Sequence, residues 1–149
     1  KKNSLKNIVR ITSDCPFIDP KIITQLCKQY KKRKVQYASN IIKPSYPDGF
    51  DVEIFSFNLL EKTLKNSKSK RSKEHVTIDM IRNKKIKKFK LKNKINLSNY
   101  RLTLDTFDDY IKIKEIYNKF KSIYKPSINL ISKIILSNKT KYFQIRPTY

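Results

Sequence analysis

Glycine is nearly absent from this 149-residue chain: Gly49 is the only one. A Walker A loop needs two glycines and a G-x-G-x-x-G fingerprint needs three, so neither phosphate-binding signature exists here. Tryptophan is missing, His75 is the single histidine, and Cys15 and Cys27 are the only cysteines. These three match no zinc-ligand spacing, and no C-x-x-C occurs. Two cysteines suit a reducing cytoplasm better than a disulfide scaffold. No apolar run reaches the roughly 18 residues of a membrane span, and no apolar segment with a small-residue cleavage site opens the chain. No membrane partner and no secretion are therefore expected.

Acidic residues are scarce as well: 12 Asp plus Glu face 35 Lys plus Arg, a net charge of +23. Such a surplus suits phosphate neutralisation and raises the prospect of a basic RNA-binding or ribosome-associated protein. Only six of the 35 are Arg, whereas base readout and bidentate phosphate clamps favour Arg. Lys enriched together with Asn and Ile is also what AT-rich coding produces, so composition leaves both origins open. What is present is enough for a core: 38% of residues are hydrophobic and 11% aromatic. That excludes disorder along the whole length, and the length fits one domain.

Patterning alternates strands with helices. Asn7 to Ile11 reads as a buried strand, and Asp19-Pro20 as an N-cap with Pro at the first helical position. Ile22, Ile23, Leu26 and Tyr30 recur at helical spacing up to about Arg33, and Val35 to Ser39 is a second strand. Phe50 to Ser56 alternates, with Phe50, Val52 and Ile54 facing one way and Asp51 and Glu53 the other. Ser56 caps a helix from Phe57 to about Leu64, followed by a Lys/Ser-rich loop from Lys65 to Lys73. Glu74 to Arg82 reads as a helix burying Val76, Met80 and Ile81, and Phe89 to Asn93 and Tyr100 to Leu104 read as strands. Thr106 and Asp109 form an Asp variant of the capping box, opening a helix lined by Tyr110, Ile113, Tyr117 and Phe120. A last helix, about Ile128 to Leu136, precedes an irregular tail, and residues 122–149 are expected to be peripheral. The order argues for an α/β fold with a mixed sheet.

Two acids sit where strands end: Asp14 after the first and Asp105 after the fifth. Ligands of open α/β sheets gather at the carboxyl ends of strands. Two such carboxylates suit one Mg²⁺ whose octahedron is completed by phosphates and water, or each simply caps the following helix. Asp48, Asp51 and Glu53 lie within six residues of a sequence that otherwise avoids acids, either for a polyhydroxylated or cationic ligand or as a Pro-Asp-Gly turn and an edge strand. His75 opens a helix and is by default a surface residue. A Cys15 nucleophile paired with His75 has no support in the sequence, since Cys15-Pro16 fits a tight loop equally well.

Ile8-Val-Arg-Ile-Thr-Ser-Asp-Cys-Pro-Phe-Ile-Asp-Pro20 resembles the VRxTGDCPLIDP stretch of sugar cytidylyltransferases, in the branch named for spore-coat polysaccharide biosynthesis. That branch is related to the acylneuraminate and 3-deoxy-manno-octulosonate cytidylyltransferases. Ser39-Asn40, Tyr46 to Phe55, Glu74-His-Val-Thr77 and Tyr100 to Asp109 continue the resemblance in order. It implies a nucleotide-diphospho-sugar transferase fold: a Rossmann-like, three-layer arrangement with a mixed, mostly parallel sheet flanked by helices. It implies transfer of CMP from CTP to a sugar, with release of pyrophosphate, for a surface polysaccharide or glycan. It assigns Asp14 and Asp105 to Mg²⁺, and Asp14, Asp105 and Arg101 to catalysis. It places Asn40, Asp48, Gly49, Asp51, Glu53, Glu74 and His75 in substrate binding. CTP and a sugar acceptor are then the partners, with a homodimer possible and no specific nucleic acid expected.

The chain departs from the family at Ser13, where relatives carry Gly, and at Ile78-Asp79, where they carry Pro-Tyr. Lys1 stands where an initiator Met would, and the family's first strand and nucleotide loop would precede it. The chain is thus expected to be a partial domain, lacking the N-terminal nucleotide-loop part and inactive unaided.

Overall fold

The computed structural model describes residues 5–67, 75, 77–119 and 127–137, arranged as α/β. Among these, four strands form one sheet: β1 (Asn7–Arg10), β2 (Tyr37–Ser39), β3 (Glu53–Ser56) and β4 (Lys88–Lys90), in the spatial order β1-β3-β2-β4. β3 runs antiparallel to both β1 and β2, and β2 pairs parallel with β4. β1, β2 and β4 therefore share one direction and only β3 opposes them.

Helices cover both faces. Helix α1 (Pro20–Arg33) starts where Asp19 caps it, accepting the Lys21 N–H at 2.8 Å, and ends at Lys34 in the left-handed conformation. Its Ile22, Leu26 and Tyr30 join Ala38, Val52 and Ile54 in the main core cluster. Helix α2 (Phe57–Asn66) is capped by Ser56, whose hydroxyl accepts from the Leu59 N–H at 3.1 Å. With α3 (Ile78–Arg82) it covers the opposite face, where Tyr37, Phe55, Leu59 and Met80 cluster. Helix α4 (Phe107–Asn118) carries both halves of the Thr106/Asp109 capping box. Helix α5 (Ile128–Ser137) places Ile131 and Ile135 in the main core, so it is integral and not peripheral. Asp19 explains why: its second carboxylate oxygen accepts the Ile128 N–H at 3.1 Å, so one buried acid ties the starts of α1 and α5 together.

Several expected elements are shorter. Tyr100 to Leu104 forms no ladder among the described residues but one parallel bridge, Arg101 to Asp48. Two backbone bonds of 2.8 Å, Asp48 N–H to Tyr100 and Leu102 N–H to Asp48, make it. Strand β3 begins at Glu53, because residues 50–52 are held by the Asn40 side chain as well as by neighbouring backbone. Helix α3 starts at Ile78, while Glu74, Val76 and most of the Lys/Ser-rich loop lie outside the described residues. On α4 the buried residues are Asp109, Ile113 and Ile116; Tyr110 and Tyr117 are exposed, and Phe120 lies outside the described residues. Tyr117 instead stacks on Phe17, with ring centroids 5.9 Å apart.

Among the described residues β4 is an outer strand. Its Lys88 ammonium donates to the carbonyls of Ile81 and Asn83, and the Arg33 guanidinium lies over the Phe89 ring at 4.4 Å from the centroid. The basic end of α1 and the lysines of β4 thereby meet at one sheet edge.

Candidate functional site

Asn40, Glu53 and the turn carrying Asp14 lie at the end of the sheet where β1, β2 and β4 finish and β3 begins. The turn after β1 is built by Cys15, whose N–H bonds the Thr12 carbonyl at 3.4 Å. Its thiol is buried, 3.2 Å from the Thr12 hydroxyl, and directed at the Asp14 carboxylate at 3.8 Å. Burial pushes this thiol up to about 11; the Thr12 hydrogen bond opposes the shift and the Asp14 charge adds to it. The Asp51 backbone and charge also act on the thiol, so Asp51 lies near Cys15. A thiol held protonated in this way serves packing, not nucleophilic attack.

The second carboxylate is brought in by backbone. The Leu104 N–H donates to the Asp14 carbonyl at 2.9 Å, stitching the turn after β1 to the segment that carries Asp105. Upstream, the Asp48 bridge fixes the backbone on both sides of Arg101. That bridge explains the only glycine. Gly49 has φ +99°, and a Cβ there would lie 2.6 Å from the Leu102 carbonyl oxygen. No side chain fits such an approach to backbone.

Arg101 forks between two acids, donating to Asp105 and, at 2.6 Å, to Asp109. Its guanidinium thereby pairs with the Asp105 carboxylate that the resemblance set beside it in catalysis. Asp109 also accepts the backbone N–H of Asp105 at 3.1 Å and of Thr106 at 3.0 Å. Burial opposes its charge, but the bonds from Arg101 and from these N–H groups outweigh burial and hold its carboxyl below the usual range.

Two assigned substrate residues are occupied internally. Asn40 is buried, its amide donating to the Phe50 carbonyl at 2.6 Å and accepting from the Val52 N–H at 2.9 Å. Both ends of the amide are engaged on backbone, so Asn40 shapes the loop. Glu53 is 2% exposed and bonded to Arg10 and to the Tyr37 hydroxyl. Burial, then the Glu53 charge, pushes the Tyr37 phenol strongly up. Asp51 and Glu53 therefore part company: one lies near the Cys15 thiol, the other is buried within the sheet. His75 is exposed, its carbonyl accepting from the Ile78 N–H at 2.9 Å, and Glu74 lies outside the described residues.

Among the described residues no group of three or more His, Cys, Asp or Glu is arranged to hold a metal. Asp14 and Asp105 instead stand as two carboxylates on segments joined by one hydrogen bond. Sequence reasoning missed Arg10, Tyr37 and Asp109. Asp109 was visible only as a cap; its place eight residues after Arg101 and four after Asp105 was the available signal.

Residues 1–145 match the family model described as cytidylyltransferase. An uncharacterized protein of Methanocaldococcus jannaschii is 35% identical over 121 residues, 78% of this chain and 48% of the relative. The spore coat polysaccharide biosynthesis protein SpsF of Bacillus subtilis is 28% identical over 137 residues, 89% of this chain and 55% of its own length. The structure of a cytidylyltransferase from Leptospira borgpetersenii serovar Hardjo-bovis superposes with a TM-score of 0.83 at 32% identity, covering 97% of this chain and 61% of that one. The chain spans about half the length of the curated relatives it matches.

Proposed function

Since the chain belongs to the cytidylyltransferase family, we propose that it serves transfer of CMP from CTP to a sugar hydroxyl in building a surface polysaccharide or glycan. A bond forms between the sugar oxygen and the α-phosphorus as the bond to the departing pyrophosphate breaks, and the hydroxyl proton is lost to solvent or a base. The name of the Bacillus relative supports the polysaccharide setting. The comparisons do not favour the RNA-binding alternative. Among the described residues no helix is long and apolar enough to cross a membrane, and a cytoplasmic setting accords with the two free cysteines.

One observation carries the reading: the Leu104–Asp14 hydrogen bond sets Asp14 and Asp105 on adjoining segments. Paired carboxylates are the hard oxygen donors that Mg²⁺ takes, its remaining positions going to phosphate and water. Held by Asp14 and Asp105, Mg²⁺ supplies neutralisation of the triphosphate. Arg101 keeps the Asp105 carboxylate in place. The Cys15 turn keeps Asp14 there, and Asp48 and Asp51 stand nearby as acceptor contacts.

In the full-length protein, the test follows CTP-dependent pyrophosphate release with a panel of acidic and neutral sugars, alongside Mn²⁺ binding by calorimetry. Asp14→Asn and Asp105→Asn should each lower release by about 100-fold or more and weaken Mn²⁺. Unchanged release and unchanged binding in both variants would reject the assignment.

A further inference from the structure

We propose that Asp109 is a positioning residue for Asp105, acting through Arg101, and not only the acid of a helix cap. A capping-box acid needs one bond, to the N–H of the N-cap residue. Asp109 makes that bond to Thr106 and two more that capping does not require, to the Asp105 N–H and to the Arg101 guanidinium. Its carboxylate therefore holds both the backbone of Asp105 and the cation that pairs with the Asp105 carboxylate.

Burial divides the labour. Asp109 is 5% exposed and Asp105 50%, so the fixed acid lies inside and the other faces solvent. Arg101 suits the space between them because its planar fork offers a separate N–H group to each carboxylate, which a lysine ammonium does not. Its backbone is held independently by the bridge to Asp48. The three residues thus form a relay, Asp109 to Arg101 to Asp105, anchored at the buried end. Groups that orient a ligand residue commonly change metal affinity by about 10- to 100-fold when removed.

The proposal rests on Asp105 being a metal-binding acid, so the experiment reads the relay with and without metal. Asp109→Asn keeps an oxygen for the backbone N–H groups but turns an amide toward Arg101. NMR of the Arg101 guanidinium, without metal, should show an ordered side chain in the parent and a released one in Asp109→Asn. Mn²⁺ binding should weaken about 10-fold, with no further loss when Asp109→Asn is added to Arg101→Gln. Thr106→Ala removes the cap hydroxyl without touching Arg101 and should leave both readouts unchanged. An Arg101 that stays ordered in Asp109→Asn, or a Thr106→Ala variant that reproduces the Asp109→Asn losses, overturns the proposal. If Asp105→Asn leaves Mn²⁺ binding unchanged, the metal reading alone fails and the guanidinium spectra still decide the relay.

Discussion

The Leu104 N–H donates to the Asp14 carbonyl at 2.9 Å, and this bond makes neighbours of segments far apart in the chain. Each participant carries or adjoins one of the two carboxylates, Asp14 and Asp105. The bond is backbone to backbone, so side-chain changes at Leu104, which is partly exposed, leave it intact. The surrounding loops are held mainly by side chains that never meet solvent, and these give the sharpest predictions.

Asn40→Ala should destabilise the fold by about 2–4 kcal/mol, because a buried carbonyl and a buried N–H each lose their partner. Asn40→Asp should fare little better, since a carboxylate cannot donate to the Phe50 carbonyl. Denaturant midpoints check both. A loss under about 0.5 kcal/mol, the scale of an ordinary surface change, would mean that the amide is not the loop's anchor.

Gly49→Ala should cost about 2 kcal/mol or more, combining a positive φ with a methyl forced onto the Leu102 carbonyl. The damage should also spread to the Arg101 segment, whose bridge to Asp48 lies next door. Hydrogen exchange at the Leu102 N–H, faster in the variant, would register it; unchanged protection would count against the steric account.

Tyr37 sets an alkaline limit. Burial, then the Glu53 charge, raises its phenol above the ordinary value, so folding favours the protonated form. The stability this contributes is fully present below the unfolded value of about 10 and declines as pH rises above it. Tyr37→Phe should flatten that decline while lowering stability at neutral pH by about 1–3 kcal/mol, since Glu53 loses a buried donor. Melting temperatures from pH 7 to 11 in both proteins test this; parallel curves would contradict it.

Cys15 should resist alkylation. With its thiol raised to about 11, little thiolate exists at pH 8, and burial shields the sulfur. Iodoacetamide followed by peptide mass spectrometry should label Cys27 first in the folded protein and both cysteines in guanidinium. Equal labelling without denaturant would show the turn after β1 to be open.

Legibility in the sequence followed the range of the interaction. Caps are local, and Asp19-Pro20, Ser56 and Thr106 with Asp109 were all readable. Alternation placed Phe50, Val52 and Ile54 on one face, as found. The fates of Glu53 and Asn40 were hidden, because polarity marks them as candidates for solvent while their partners lie on other strands and loops. The helical period put Tyr110 and Tyr117 inside, yet Ile113 and Ile116 fill that face and the tyrosines stay outside. The Asp109 relay was masked by its own cap, since a residue with a sufficient local role draws no further question.

The lysines of β4 bear on how copies of this chain meet. Among the described residues β4 pairs only with β2, and the free side of a strand offers backbone donors and acceptors to an arriving strand. A second copy pairing there would set ammonium groups against one another, which opposes association. The repulsion reaches about 10 Å at 0.1 M salt and about 3 Å at 1 M. A second copy arriving at this edge would therefore meet a repulsion whose reach the salt of the medium sets.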